Sequence, residues 1–198
     1  MVQRKKDNVR DAILAAAFQL FTDKGYSETT VPAIARRAGI STANVYVYFA
    51  SKMQILFMLF TPWLEDRLGK LDRSLARISD PKLRLKKLLL VLWRELPQES
   101  NGFAHNIVEA VSSSRSREDY SPQLREHFVE RVAQWLQGCT AMSDKGSRHA
   151  ATVIVMAFDG FAANASLEHG VACTVETVEL FSAFLQGQTV DGRQSGTK

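Results

Sequence analysis

The sequence predicts an all-α protein of about nine helices, in which a small N-terminal head of three helices precedes a larger helical core. Apolar residues recur at the three- and four-residue spacing of amphipathic helices along most of the chain. Ser, Thr, Pro and Gly stand where such helices begin and end. One strand-like stretch, residues 45–49, has no second strand nearby with which to pair, so its backbone groups would stay unsatisfied in a sheet.

Composition favours a folded protein with an anionic partner. Of the 198 residues, 45% are hydrophobic and 23% charged, which indicates neither disorder nor a membrane protein. The first 55 residues carry eight Lys and Arg against four Asp and Glu, so the whole net charge of +4 lies in them. Nucleic acid is the leading candidate partner, and an ordinary solvated surface is the alternative.

The cellular setting is expected to be the cytoplasm. The opening MVQRKKDN is followed by no apolar signal core. Cys139 and Cys173 lie far apart and outside any paired motif, which predicts two buried thiols and neither a disulfide framework nor a zinc cluster. We therefore expect no metal or cofactor.

The first two helices have clear boundaries. Residues 9–24 form an amphipathic pattern that Gly25 ends. The second helix has Thr30 as its N-cap and Pro32 in its first turn, and Gly39 ends it. The first helix would bury Ile13, Ala16, Ala17, Leu20 and Phe21, and the second Val31, Ile34, Ala35 and Ala38.

A third helix follows after only three residues, Gly-Ile-Ser, with Ser41 as its cap. It is predicted from about Thr42 to Tyr48, with Val45 and Phe49 facing inward. Two apolar helices separated by so short a turn indicate a helix-turn-helix. The β-branched residues of this helix must then be held by tertiary packing.

The core begins with a capping box from Ser51 to Gln54, which starts a fourth helix that Pro62 should bend or break. Two apolar stripes and a polar loop at residues 112–121 follow. The stripes are Leu85, Leu88, Leu89, Leu92, Trp93 and Leu96, then Leu124, Phe128, Val132, Trp135, Leu136 and Cys139.

The last two helices, 150–168 and about 174–186, contain no Lys or Arg. Asp159, Asn164 and Glu168 argue against a membrane span, so burial on a second side by another subunit is expected. The dimer-interface candidates are Ala157, Gly160, Phe161, Asn164, Val178, Phe181 and Leu185.

Residues 8–60, with "LFTDKGYSETT", "IARRAGIS" and "VYVYFASK" in that order, resemble the tetracycline-repressor (TetR) family of bacterial transcription regulators. The resemblance implies a homodimer with a DNA-binding domain (1–50) and a ligand-binding and dimerisation domain (51–190). The residues after Gln188 are mainly Gly, Ser, Thr and charged residues, which predicts a flexible tail (191–198). Helix four would connect the two domains. Tyr48 departs from the family, which very often has His there, and Val31 replaces a residue that is sometimes polar.

In a helix-turn-helix, the N-terminal residues of the recognition helix contact base edges. Thr42, Ala43 and Asn44 are therefore the predicted base-reading residues. Asn can pair with adenine through two hydrogen bonds, Thr can donate or accept, and the Ala methyl can contact a thymine methyl. Solvated cap residues are the alternative for Thr42 and Ala43.

Phosphate contacts are predicted for Thr30, Ser41, Tyr46, Tyr48 and Lys52. Helix N-termini favour anions, and hydroxyl and ammonium groups donate to phosphate oxygens. Core packing is the alternative for the two tyrosines.

An inducer pocket is predicted among the core side chains, and its candidates are Trp63, Trp93, Phe103, Asn106, Glu109, Trp135 and Phe158. His105 and Glu109 could hold a metal, although a surface ion pair is favoured over it. A cationic inducer would follow if Glu109 or Asp159 were buried without a partner.

The leading hypothesis is a dimeric repressor that binds a palindromic double-stranded DNA operator and is released by a small-molecule inducer. One alternative is a helical regulator recruited by a protein partner. Another is a helical enzyme, against which stands the lack of any recognised catalytic motif around the four histidines.

Overall fold

The computed structural model describes residues 2–113, 122–165 and 167–187, with side chains from residue 7 onward. These residues form helices joined by short turns. The helices are α1 (Val2–Glu28), α2 (Val31–Arg37), α3 (Thr42–Tyr48), α4 (Lys52–Leu75), α5 (Pro81–Leu90), α6 (Leu96–Gly102), α7 (His105–Ser113), α8 (Pro122–Gln137), α9 (Asp144–Ala165) and α10 (Val175–Leu185).

The prediction of an all-α fold with about nine helices is confirmed for the described residues. A π-helical segment, Val91–Glu95, joins α5 to α6 with helical backbone angles at both of its ends. The helix therefore continues from α5 into α6 until Glu99, where ψ of 144° interrupts it. No single helix in the described ranges is long and apolar enough to cross a membrane, and only the bent pair of α3 and α4, at 55°, reaches that length and composition together.

The head, α1 to α3, has the predicted helix boundaries at its turns. Gly25 has φ 80° and interrupts α1, which continues for one more turn to Glu28. Thr30 and Ser41 are the N-caps of α2 and α3. Val45 is fully buried, so packing and the Ser41 cap hold the strand-like stretch in a helix. At its other end α1 begins at Val2, seven residues before the prediction.

The start of α4 is confirmed, but the predicted break at Pro62 is wrong. Ser51 Oγ accepts from the Gln54 amide at 3.1 Å, and Gln54 Oε1 accepts from the Ala50 amide at 2.6 Å. The helix then runs without interruption from Lys52 to Leu75. Pro62 is exposed, so the one carbonyl that loses its partner lies on the solvent side.

Both predicted stripes belong to the core. The whole first stripe is buried, and in the second stripe only Leu124 and Trp135 are partly exposed. Helix α9 begins at Asp144, six residues before the prediction, and buries Ser147 and Ala151 in its first turns. The described part of the predicted loop, residues 112–113, ends α7. The remainder of that loop and the predicted tail (191–198) lie outside the described residues.

Head and core meet in an aromatic group that we call the junction cluster: Phe18, Phe60, Trp63 and Phe103. The Phe103 ring centroid lies 5.0 Å from that of Phe18 on α1, and 6.2 Å and 5.5 Å from those of Phe60 and Trp63 on α4. Phe103 follows a left-handed turn at residues 100–102, with φ of 54°, 55° and 73°. This turn places one core ring against the head and α4 together.

Replacing Phe103 by alanine is expected to lower the free energy of unfolding by about 3–5 kcal/mol, because its fully buried ring contacts two helices at once. Urea unfolding followed by circular dichroism measures the change. The control is Val47→Ala, 74% exposed on α3, for which we expect less than about 0.5 kcal/mol. Equal losses in the two variants would contradict the role of the junction cluster.

Candidate functional site

The N-terminal half of α3 forms an exposed surface. Ser41 Oγ accepts from the Asn44 amide at 3.2 Å and fixes the first turn. Ala43 and Asn44 are exposed, and Thr42 is partly buried. The three predicted base-reading residues therefore lie together at the end of α3 that a helix-turn-helix presents to a groove.

The predicted phosphate contacts of the head differ in their surroundings. Tyr46 is 55% exposed, whereas Tyr48 is partly buried against the core. The hydroxyl groups of Thr30 and Ser41 cap their own helices by accepting from the amides of Ala33 and Asn44. Both hydroxyls lie at exposed helix N-termini, where an anion is favoured.

Sequence reasoning missed Val47, which is 74% exposed on α3. A large apolar side chain that is this exposed on a short helix indicates a surface that contacts a partner. The signal was present in the sequence, because Val45 and Phe49 face inward and a residue two positions from each must face outward.

Lys52 has internal partners instead of an open ammonium group. Its Nζ donates to the carbonyl oxygens of Tyr26 at 2.6 Å and Thr29 at 2.7 Å, and lies 4.0 Å from the centroid of the Tyr26 ring. Burial lowers the pKa of Lys52, and the charge of Glu109 opposes that shift. We therefore correct its predicted phosphate contact: Lys52 joins α4 to the turn between α1 and α2 (residues 25–29, the α1–α2 turn).

Glu109 contacts the same turn from the core. Its Oε2 accepts from the Tyr26 amide at 3.0 Å, which links α7 to the head. Burial alone would raise the pKa of Glu109, but hydrogen bonds from Ser27 and Tyr26 outweigh it and hold the pKa below the ordinary value. The metal site considered for His105 and Glu109 has no third ligand within the described ranges, which contain no group of three His, Cys, Asp or Glu that could hold an ion.

A cavity of about 220 Å³ lies between α4, α7, α8 and α9. Most of its wall is apolar, and the charged groups that line it among the described residues are Arg125 and Asp159. Its lining consists of Phe57, Phe60, Leu64, Ile107, Val108, Val111, Ser112, Leu124, Arg125, Phe128, Val155, Phe158 and Asp159.

Of the predicted pocket residues only Phe158 lines this cavity, whereas Trp93 and Trp135 border two other cavities, of about 100 and 180 Å³. The predicted lining is corrected for Trp63, Phe103, Asn106 and Glu109, which border none of the three. The size and polarity of a side chain do not show which face of a helix borders an opening. Trp63 and Phe103 lie in the junction cluster, Trp93 donates to the Ile154 carbonyl, Asn106 donates to the Phe103 carbonyl, Glu109 accepts from the Tyr26 amide and Trp135 donates to Asp72.

Asp159 is paired with Arg125, whose Nη2 lies 2.6 Å from Asp159 Oδ2. Burial raises the pKa of Asp159, and the neighbouring Arg125 opposes this. Both Glu109 and Asp159 have partners within the protein. The structure therefore contains neither of the two unpaired buried carboxylates from which a cationic inducer would have followed.

Large apolar side chains are also exposed on the outer sides of α9 and of α10. Val153 and Met156 on α9 and Leu180 and Phe184 on α10 are 54–70% exposed. Of the dimer-interface candidates, Gly160 is exposed and Ala157, Phe161, Asn164 and Phe181 are partly exposed. Val178 and Leu185 are corrected, since they are buried within this chain, at 1% and 7% exposure.

A helix-turn-helix head joined to a helical core with a cavity defines a class of helical regulators. A family model described as "Bacterial regulatory proteins, tetR family" matches residues 13–59. YfiR of Bacillus subtilis, an uncharacterized HTH-type transcriptional regulator, is 32% identical over 140 residues, which cover 69% of this chain and 68% of YfiR. The chain belongs to the TetR family of transcriptional regulators.

Other similarities are more local or concern the fold. The transcriptional regulator HbdR of Aromatoleum sp. is 37% identical over 76 residues, which cover 38% of this chain. The chain spans 33%, 45% and 59% of the first three curated relatives that it matches. FadR of Thermus thermophilus, solved in complex with lauroyl-CoA, shares the fold with a TM-score of 0.65 at 21% identity, over 96% of this chain and all of that one.

Replacing Glu109 by alanine is expected to speed hydrogen exchange of the Tyr26 amide at least about tenfold, because that amide loses a charged acceptor. Exchange measured residue by residue by NMR checks this. Glu130→Ala, on the exposed side of α8, is the control and should leave Tyr26 unchanged. An unchanged exchange rate of the Tyr26 amide in Glu109→Ala would show that the hydrogen bond to Glu109 does not hold the α1–α2 turn.

The same link should depend on pH. Because the pKa of Glu109 is depressed in the folded protein, its contribution to stability is present above the ordinary Glu range and is lost as pH falls through the folded pKa. The stability difference between the wild type and Glu109→Gln should therefore narrow toward acid.

Proposed function

We propose that the protein is a ligand-responsive DNA-binding regulator. It acts in the cytoplasm as a homodimeric repressor of a near-palindromic operator, and a small molecule releases it. We propose residues 1–50 as the DNA-binding domain, 51–190 as the ligand-binding and dimerisation domain and 191–198 as a tail. The observation that carries the proposal is that α7 lines the cavity and also hydrogen-bonds to the head through Glu109.

The head binds DNA through α3. Thr42, Ala43 and Asn44 contact base edges in the major groove, and Val47 packs on thymine methyl groups. Their support is the exposure of Ala43, Asn44 and Val47 on one short capped helix.

Backbone phosphates on either side of the groove are bound by the remaining polar groups of the head. Tyr46 and Tyr48 donate their hydroxyl groups, and the N-termini at Thr30 and Ser41 provide backbone amides. These contacts fix the position of α3 on the duplex without specifying sequence.

Dimerisation buries the apolar surface of α9 and α10. Val153, Met156, Leu180 and Phe184 are too exposed and too apolar for a face that stays in water. A second copy covers this surface with its own, as in a two-fold interface. Two heads then contact half-sites about 34 Å, or a multiple, apart.

Ligand binding changes DNA affinity through α7. Ile107, Val108 and Val111 face the cavity, while Glu109 contacts the α1–α2 turn. A ligand that shifts α7 therefore moves Glu109, which accepts the hydrogen bond from the Tyr26 amide of the head. The displaced turn in turn moves α4, because Lys52 of α4 donates to the Tyr26 carbonyl. A coupling free energy of about 1–3 kcal/mol changes affinity roughly 5- to 150-fold. The T. thermophilus FadR, which shares this fold, was solved in complex with lauroyl-CoA, and this supports ligand binding by a protein of this fold.

Selection from a randomised duplex pool at near-physiological salt tests DNA binding. The wild type should enrich an inverted repeat, because two symmetric heads contact two half-sites. Asn44→Ala should relax specificity at one position of each half-site, at a cost of about 1–3 kcal/mol. Gln134→Ala, exposed on α8, is the control and should select the wild-type repeat. No enrichment by the wild type would refute the proposed function.

Introducing a charge at Phe184 should produce a monomer. Phe184→Asp places a carboxylate in the proposed interface, where burying it without a partner is costly. Sedimentation or light scattering measures the mass. Val47→Asp is the matched control, since Val47 is 74% exposed on α3 of the head, and should leave a dimer. A dimeric Phe184→Asp protein would place the interface elsewhere.

A further inference from the structure

We infer that the cavity binds a small organic cation, an apolar molecule whose one ammonium group is held by Asp159. The inference rests on the proposed function, because it names the ligand class of the same cavity. The ligand has an apolar body that fits a cavity of about 220 Å³, and a single charged end.

The aromatic part of the wall favours a cation. Phe57, Phe60, Phe128 and Phe158 all line the cavity. Phe128 and Phe158 meet edge to face, with centroids 5.4 Å apart at 84°. The face of an aromatic ring carries negative potential and attracts ammonium groups.

The carboxylate is the deeper of the two charged groups. The side chain of Asp159 is 20% exposed and that of Arg125 is 33% exposed. Asp159 uses Oδ2 for Arg125, and among the described residues no group donates to its Oδ1. A ligand ammonium can therefore donate to Asp159.

An exchange of cations keeps the charge of the cavity constant. Arg125 has a long, partly exposed side chain, which can turn its head toward water while its stem stays on apolar surface. The ammonium then takes over the neutralisation of Asp159, whose desolvation makes an unpaired charge costly. An anionic ligand would instead face the carboxylate of Asp159 inside an apolar wall. Arg125 is thus the internal competitor of the ligand.

Three probes with the same six-carbon chain test the charge of the ligand: hexylamine, which is protonated at neutral pH, hexanol and hexanoate. Isothermal titration of the full-length protein should show hexylamine binding at least about tenfold more tightly than the other two, since an ion pair in a desolvated site adds more than about 1.4 kcal/mol. Equal affinities, preference for hexanoate, or no binding of hexylamine would overturn the inference.

Two variants test which charged groups determine the preference for hexylamine. Asp159→Asn should abolish the preference for hexylamine, because the amide keeps the shape and loses the charge. Arg125→Gln should strengthen hexylamine binding several-fold, because the internal competitor is gone. The opposite pattern, with loss of binding in Arg125→Gln, would assign the site to an anion and overturn the inference.

The double variant Arg125→Gln/Asp159→Asn guards against misfolding, because it leaves no unpaired charge in the core. It should melt as a folded protein and bind hexylamine and hexanol alike. A remaining preference for hexylamine in the double variant would place the cation site elsewhere. Failure of these titrations is distinct from failure of the proposed function, because the DNA selection uses no ligand.

Discussion

The orientation of the head depends on how the α1–α2 turn is held by two oppositely charged side chains. Lys52 of α4 donates to two carbonyl oxygens of the turn, and Glu109 of α7 accepts from the turn's Tyr26 amide. A polar turn next to an apolar core needs such partners, because unpaired backbone groups are costly away from water. The two charges also attract each other, so α4, α7 and the turn form one connected unit. The position of α3 follows from this unit.

Around this polar contact the junction cluster supplies the apolar part of the same connection. Phe18 belongs to the head, Phe60 and Trp63 to α4, and Phe103 to the turn before α7. Closely packed rings shift between discrete arrangements more readily than they deform, because the interior has little free space. Phe60 also lines the cavity, so a molecule bound there contacts a member of the cluster directly. Cavity and head are therefore connected by both charge and packing.

The sequence predicted the helices well because their signals are local. The caps Thr30, Ser41 and Ser51 hydrogen-bond within three residues, and inward positions follow the helical period. The cavity could not be predicted in this way, since its wall combines single faces of four helices and depends on how they cross. The partners of Lys52 and Glu109 lie 23 or more residues away, and no spacing in the sequence indicates them. The position of Lys52 at a helix N-terminus predicts a phosphate contact, but in the folded protein its ammonium group donates to two carbonyl oxygens.

Helix α9 borders the cavity on one side and exposes apolar side chains on the other. Val155, Phe158 and Asp159 border the cavity, while Val153, Met156 and Gly160 lie on or beside the outer apolar surface. In a two-fold dimer the α9 helices of both copies would then separate the two cavities by little more than two helix diameters, about 20 Å. Occupancy of one cavity would change the surface on which the other copy's α9 packs. Titration curves of such a dimer would be sigmoidal or biphasic, with a Hill coefficient different from one.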